Sequence, residues 1–254
     1  MAGGLLTTER VRGEPLVSVE PPISGKPIIS VIVPVFNESA TVAAVINRLL
    51  TIDLPAPREI IVVNDGSSDS TREVLDGFEP AAALRIVHSE RNRGKGHAIR
   101  LGMSSARGDI IAIQDADLEL DPAQLAALVT PIVQGTADVV YGSRFLGKRP
   151  DAPWLTVAAN RTLTGLTNLL FGSSITDMET CYKIMRTSVA RSLGLTADRF
   201  DIEPEITARL LKAGHQIVER PVTFTPRSRA AGKKIGWRDG VAAIRVLVRH
   251  RFLN

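Results

Sequence analysis

Two carboxylates stand two residues apart in Gln114-Asp115-Ala116-Asp117-Leu118-Glu119, directly after the apolar run Ile110 to Ile113. A pair of hard oxygen ligands where a chain leaves a sheet can bind one divalent cation that also takes oxygens from a diphosphate. A solvated turn is the plainer reading of the same residues, because Asp is common at strand ends. Polar residues follow other apolar runs in the same way: Asn37 and Glu38, Asp65 and Gly66, and Gly142 to Arg144. The segment Asn92-Arg93-Gly94-Lys95-Gly96 opens a helical pattern, with glycines that permit a close backbone approach and a lysine suited to a phosphate or ribose. It is no Walker loop, since Gly96 stands where Ser or Thr is needed, and no dinucleotide fingerprint, since the third glycine is missing.

The elements that must position these residues are legible as alternating patterns. Short β-branched runs at 28–33, 59–64, 84–88, 110–114 and 138–141 predict strands, and helices are expected from about Ser39, Asp69, Gly96 and Pro122. Strands that read as unbroken apolar runs, alternating with helices, predict an α/β fold with a mostly parallel sheet flanked by helices. In such sheets ligands bind beyond the carboxyl ends of the strands, so the polar ends should meet at one place. Asp69 is expected to cap its helix, which leaves Asp65 as the functional residue of its loop. Further on, a strand near Tyr182 to Met185, a helix near Ile202 to Ala213 and a final helix from about Asp239 to Phe252 are expected.

Residues 1–27 carry scattered prolines, glycines and charges without periodicity and are expected to be a poorly ordered leader. The remainder, 28–254, is expected to be one domain, with a nucleotide half over 28–120, an acceptor half over 121–236 and a C-terminal amphipathic helix over 237–253. The 254 residues are 44% apolar and 23% charged, which excludes a disordered or fibrous chain. The single cysteine, Cys181, makes no internal disulfide, and the four histidines are scattered, so a cytoplasmic protein without structural zinc is expected. The longest uncharged stretch runs 16 residues from Pro122 to Ala137, broken by two prolines and a glycine, and is too short to span a bilayer. No apolar signal segment stands at the N-terminus.

The net charge of +4 is uneven, because from Pro226 onward eight basic residues face Asp239 alone and the rest of the chain is net acidic. Such a tail suits nucleic acid, an anionic lipid surface or a phosphorylated substrate, and composition alone does not choose among them. The low aromatic content, 4%, argues against single-stranded nucleic acid, and no nucleic-acid partner is expected.

Taken together, Pro34-Val35-Phe36-Asn37-Glu38, Asn64-Asp65-Gly66-Ser67-Ser68-Asp69, Asn92 to Gly96 and Asp115-Ala116-Asp117 resemble the motifs of the inverting family 2 glycosyltransferases. That family has the GT-A fold, a single Rossmann-like sheet, and the resemblance covers about residues 28–250. Within it the chain is similar to the branch of dolichyl-phosphate mannosyltransferases and bacterial polyprenyl-phosphate hexosyltransferases. The resemblance implies that Pro34, Phe36 and Glu38 line the base and ribose of a nucleotide sugar and that Asp65 accepts a hydrogen bond from the base. Lys95 would contact a phosphate, and Asp115 and Asp117 would hold Mg²⁺ or Mn²⁺ on the diphosphate. Glu119, where related enzymes often carry Gln, would be a third metal ligand that keeps an oxygen and adds a charge.

The acceptor divides the mechanism. A hydroxyl needs a general base, whereas a lipid phosphate is already an anion and needs cations. Arg144 and Arg161 stand where arginines of polyprenyl-phosphate enzymes hold the lipid phosphate. Asp177 and Glu179 stand where enzymes with hydroxyl acceptors place the base; with a phosphate acceptor Asp177 would orient Arg144 or the sugar. Arg227 and Lys233 resemble residues of a mobile acceptor loop. The expected activity is therefore transfer of a hexose from a GDP-mannose or UDP-glucose type of donor to a polyprenyl phosphate. It would occur at the cytoplasmic membrane face, by a peripheral protein docking on the membrane surface or a membrane-anchored partner. Transfer to a hydroxyl, with Asp177 or Glu179 as base, is the alternative. A nucleotidyltransferase would carry a Gly- and Arg-rich loop where this chain has Asn37-Glu38, and a mere binding module would not need Asp115 and Asp117.

Overall fold

A computed structural model describes residues 23, 25–147, 152–226 and 237–253. Most of the expected leader, and with it Arg227 and Lys233 of the expected acceptor loop, lies outside the described residues. Chain order runs β1 (Ile29–Val35), α1 (Val42–Thr51), β2 (Arg58–Asn64), α2 (Thr71–Asp76), β3 (Leu84–His88), α3 (Lys95–Ser105), β4 (Ile110–Ile113) and α4 (Leu125–Val133). It continues with β5 (Val139–Ser143), α5 (Trp154–Phe171), β6 (Lys183–Arg186), α6 (Thr187–Ser192), α7 (Ile202–Lys212), β7 (Val218–Pro221) and α8 (Trp237–Phe252).

The seven strands form one sheet in the order β3-β2-β1-β4-β6-β5-β7. All neighbours are parallel except β6, which runs antiparallel to both β4 and β5. Because β6 is reversed twice over, β5 and β7 point the same way as β1 to β4. Six carboxyl ends, and the amino end of β6, therefore lie along one sheet edge. The second half of the chain thus completes the sheet of the first, with β6 inserted between β4 and β5.

Alternation along each strand divides the core. Val31, Val33, Ile60, Val62 and Ile110 face Val45, Ile46 and Leu49 of α1 and Leu128 of α4, while Ile32, Ile61, Val63 and Ile111 face Ile99 of α3 and Ile206 and Leu210 of α7. These side chains are wholly buried, worth about 1.5–3 kcal/mol each. Pro34 fits this central strand because β1 residues of its parity face β4, and the last β1–β4 pair is Ile32 with Ile113. Its missing N–H therefore leaves no ladder bond unmade.

Local chemistry explains the helix starts. Asp69 is one residue earlier than the formal cap Ser70, yet its carboxylate accepts the Thr71 N–H at 3.1 Å and so performs the capping expected of it. The helix expected from Pro122 begins as a short 3₁₀ turn, Pro122–Gln124, capped by Asp121, and becomes α-helical at Leu125. In α8, Ala243 and Leu247 are buried, Leu247 beside Ile175, Met178 and Ala208, while Val241, Ile244 and Val248 remain partly exposed. The apolar stripe is thus divided between the domain and the outside.

Candidate active site

Loops at the common sheet edge carry most of the expected residues. The first two are tied together: Asn37, at φ 52°, receives the Ser68 N–H on its side-chain oxygen at 2.8 Å and donates its own N–H to Ser67 Oγ at 2.9 Å. Glu38 is buried, donates its N–H to Thr71 Oγ1 and accepts from the Thr41 hydroxyl. Pro34 is buried within β1 and Phe36 is half-buried just beyond it.

Asp65 is 2% exposed. Its Oδ2 accepts the N–H groups of Arg93 at 2.9 Å and Gly94 at 2.6 Å, while Oδ1 is buried without a hydrogen-bond partner. A buried acceptor left unmatched is costly, so this atom marks a place for a donor from outside the chain.

The loop after β4 is shaped from beneath by Gln114, wholly buried, whose amide donates to the Asp115 and Leu120 carbonyls and whose oxygen accepts from Tyr182 Oη at 2.7 Å. Leu118 takes φ 61°, and the Glu119 N–H turns back to Asp117 Oδ1 at 3.1 Å. The Glu119 carbonyl accepts the Thr225 N–H, and Leu120 bridges Phe224, so the loop is stitched to the chain after β7.

Lys95 lies between two carboxylates. Its ammonium lies 2.8 and 3.1 Å from the two Asp115 oxygens and 2.9 Å from Glu203 Oε1. Burial lowers its pKa, but Asp115 and Glu203 outweigh that and keep it well above the ordinary lysine value. The close approach permitted by Gly96 is also made to protein rather than to a phosphate, because a Cβ there would lie 2.4 Å from the Ala197 carbonyl oxygen. Gly94, at φ 113°, likewise abuts the Asp198 carbonyl.

The acceptor side is built on buried charges. Arg144 donates its backbone N–H at 3.0 Å and Nε at 2.7 Å to Asp177 Oδ2, and Nη2 at 2.8 Å to Oδ1. Asp177 is wholly buried, and its turn is held by Glu219, which accepts the N–H groups of Thr176 and Asp177. Lys183 supports the turn from below, donating to the Met178 and Thr180 carbonyls at 2.7 and 2.6 Å. Arg144 and Arg161, one half-buried and one exposed, both lie over the Phe145 ring, at 5.9 and 5.6 Å. Burial, with the neighbouring Glu203 and Asp177 charges and against the pull of Lys183 and Arg144, raises the Glu179 carboxyl to about 7; its Oε1 is buried without a partner.

The structure therefore brings Asp65, Lys95, Asp115, Asp117, Arg144, Arg161, Asp177 and Glu179 to one edge of the sheet. As a metal site the loop offers the carboxylates of Asp115 and Asp117, hard oxygen donors of the kind a divalent ion takes, with Asp115 half-buried at the open sheet edge. Among the described residues no three carboxylate, histidine or cysteine groups converge for a metal. Around the reversal at Leu118 the Glu119 backbone is held at both its N–H and its carbonyl. Sequence reasoning missed Lys183, Glu203 and Glu219. Lys183 had a signal, a lysine heading an apolar strand run, whereas Glu203, on a helix with three other charged residues, had none.

An open sheet with its polar strand ends gathered on one edge, an acidic pair beyond β4 among them, defines a class of α/β proteins. The chain belongs to glycosyl transferase family 2, whose model matches residues 30–194. It is 29% identical to a dodecaprenyl-phosphate galacturonate synthase of Rhizobium johnstonii over 89% of its own length and 66% of that protein's. It is 29% identical to a polyprenol monophosphomannose synthase of Mycolicibacterium smegmatis, covering 81% of this chain and 80% of that one. With a dolichol-phosphate mannosyltransferase of Pyrococcus furiosus the figures are 28%, 82% and 59%. The chain thus spans a little under two thirds of the first and third of these relatives. In structure it is similar to glucosyl-3-phosphoglycerate synthase from Mycobacterium tuberculosis, solved with Mn²⁺, UDP and phosphoglyceric acid, at a TM-score of 0.70 and 19% identity, over 91% of this chain and 80% of that one. The GT-A expectation for the fold is met. Among the described residues no helix is long and apolar enough to cross a membrane.

Proposed function

We propose that this chain transfers a hexose from a nucleoside diphosphate sugar to a polyprenyl phosphate, with inversion at the anomeric carbon, on the cytoplasmic face of a membrane. The observation that carries the reading is the pair of guanidinium groups, Arg144 and Arg161, over one aromatic ring beside the Asp115–Asp117 loop. A phosphate acceptor arrives ionised, so its site needs positive charge and no base. The names of the three relatives above fit that acceptor.

In this reading Asp65 Oδ1 accepts from the nucleotide base, Pro34, Phe36 and Glu38 shape the base and ribose site, and Lys95, Arg227 and Lys233 contact the donor phosphates. A divalent cation held by Asp115 and Asp117 would offset the charge that develops on the leaving diphosphate. Arg144, fixed by Asp177, and Arg161 orient the acceptor phosphate behind the anomeric carbon. An acceptor oxygen then forms the new C–O bond as the bond to the diphosphate breaks, with no proton to remove. The partly exposed residues of α8, together with Trp154 and Leu155 at the start of α5, are the surface offered to the membrane or to an anchored partner.

A second reading, transfer to a hydroxyl, is favoured by one observation: a carboxyl with a pKa near 7, Glu179, is well suited to act as a base. One assay separates the two. Radiolabelled GDP- and UDP-hexoses are offered with Mn²⁺ to a short-chain polyprenyl phosphate, with wild-type protein and Arg161→Ala. A lipid-linked product that is lost in the variant is the expected result. Donor hydrolysis without a lipid product sinks the phosphate reading.

A further inference from the structure

Asp115, Lys95, Glu203 and Lys183 form a row of alternating charge that runs from the acidic loop into the interior. Lys95 Nζ lies 2.8 Å from Asp115 and 2.9 Å from Glu203 Oε1, and Lys183 Nζ lies 3.1 Å from Glu203 Oε2. The inner end is fixed: Lys183 is wholly buried and its ammonium also donates to the carbonyls of Met178 and Thr180. Glu203 is 4% exposed, in the first turn of α7. The outer end is open, since Asp115 is half-buried at the sheet edge. Lys95 is therefore shared between one fixed, buried carboxylate and one that faces the site.

A divalent cation on Asp115 would repel the Lys95 ammonium, and a buried ammonium without a partner is strongly unfavourable. Glu203 removes that conflict, because it offers Lys95 a second carboxylate without any movement of the backbone. The main chain agrees, as the start of α3 at Gly94 to Gly96 is packed against the 197–198 carbonyls, and Glu205, on α7 with Glu203, anchors that segment through the Thr196 and Ala197 N–H groups. We propose that Glu203 is a positioning residue that retains Lys95 when Asp115 turns to a divalent cation, so that Lys95 serves as the counter-ion of the metal-free site and yields without leaving it. This rests on the reading of Asp115 and Asp117 as metal ligands.

The test is Mn²⁺ binding to the full chain without donor, measured by the electron paramagnetic resonance of free Mn²⁺, across a double-mutant cycle of Glu203→Gln and Lys95→Met. With Lys95 present, Glu203→Gln commits the ammonium to Asp115 and is expected to weaken Mn²⁺ about tenfold; with Met at position 95 the same change should cost less than about twofold. Equal factors in both backgrounds, or no effect in either, overturn the proposal. Absence of Mn²⁺ binding by wild-type protein overturns the metal reading itself, and the proposal with it. Should a variant fail to fold, lysine acetylation of the wild-type chain, read by mass spectrometry, decides. Lys95 is expected to stay as protected with Mn²⁺ as without it, and exposure of Lys95 on adding Mn²⁺ overturns the idea.

Discussion

Asp177 receives Arg144 three times, through the backbone N–H, Nε and Nη2, and does so wholly buried. Both carboxylate oxygens are engaged by Arg144. Removing one partner of such a pair leaves the other charge buried and costs about 3 kcal/mol or more. Asp177→Asn is expected to lower stability by about that amount in urea unfolding, and to raise KM for the lipid phosphate far more than KM for the donor. Loss of kcat alone, at unchanged stability and KM, would restore Asp177 as a base.

Glu179 predicts a pH dependence. Its folded-state pKa of about 7 stands above the ordinary 4.5, so between those values the folded chain keeps a proton that the unfolded chain has released. Stability should therefore fall as pH rises from about 4.5 to 7 and stay lower above that. Glu179→Gln removes this loss, and at pH 8 the variant is expected to be more stable than wild type by at most about 3 kcal/mol. Urea titrations at pH 5 and pH 8 measure both ends. The phosphate reading expects the variant to keep most of its turnover, whereas the hydroxyl reading expects none.

Asp65→Asn puts the unpartnered Oδ1 to use as a probe. The side-chain oxygen of Asn can still accept from the Arg93 and Gly94 N–H groups, but the remaining atom becomes a donor facing a donor. Nucleoside diphosphate affinity should fall about tenfold or more, with little change in stability. Calorimetry with GDP and UDP separately would reveal which base the site prefers, and undiminished binding of both would remove Asp65 from the base site.

Asp117 lies on the half-buried loop beyond β4, so its loss should spare the fold. Asp117→Ala is expected to abolish Mn²⁺-dependent transfer, by about 100-fold or more, while the melting temperature moves by only a few degrees. Chelation of metal from the wild-type protein should have the same effect on transfer. Turnover that persists with excess chelator would show that the acidic pair serves another purpose.

Much of the framework was legible because parallel strands buried on both faces must be written as apolar runs, and Ile60 to Val63 or Ile110 to Ile113 admit few other readings. Strand ends were legible for the same reason, as polarity returns where the sheet stops. The reversed strand β6 was visible as an element but not in its direction, and β7 (Val218–Pro221) and α6 (Thr187–Ser192) carry too few apolar residues to announce themselves. The motif around Lys95 is legible, but its neighbours Asp115 and Glu203 are set by the fold. Nothing local says that residue 203 will stand beside residue 95.

The sequence by itself determined which residues are polar at the carboxyl ends of β1, β2, β4 and β5, because periodicity and composition act along the chain. Only the tertiary structure decided what each polar group does there. The packing of the 197–198 segment, which leads into α7, against the start of α3 sets Glu203 beside Lys95, and the insertion of β6 sets Lys183 beneath the 177–180 turn. The pairing of Arg144 with Asp177 joins the end of β5 to the turn that precedes β6. Charges buried together select their partners by distance across the sheet, and that distance is a property of the fold alone.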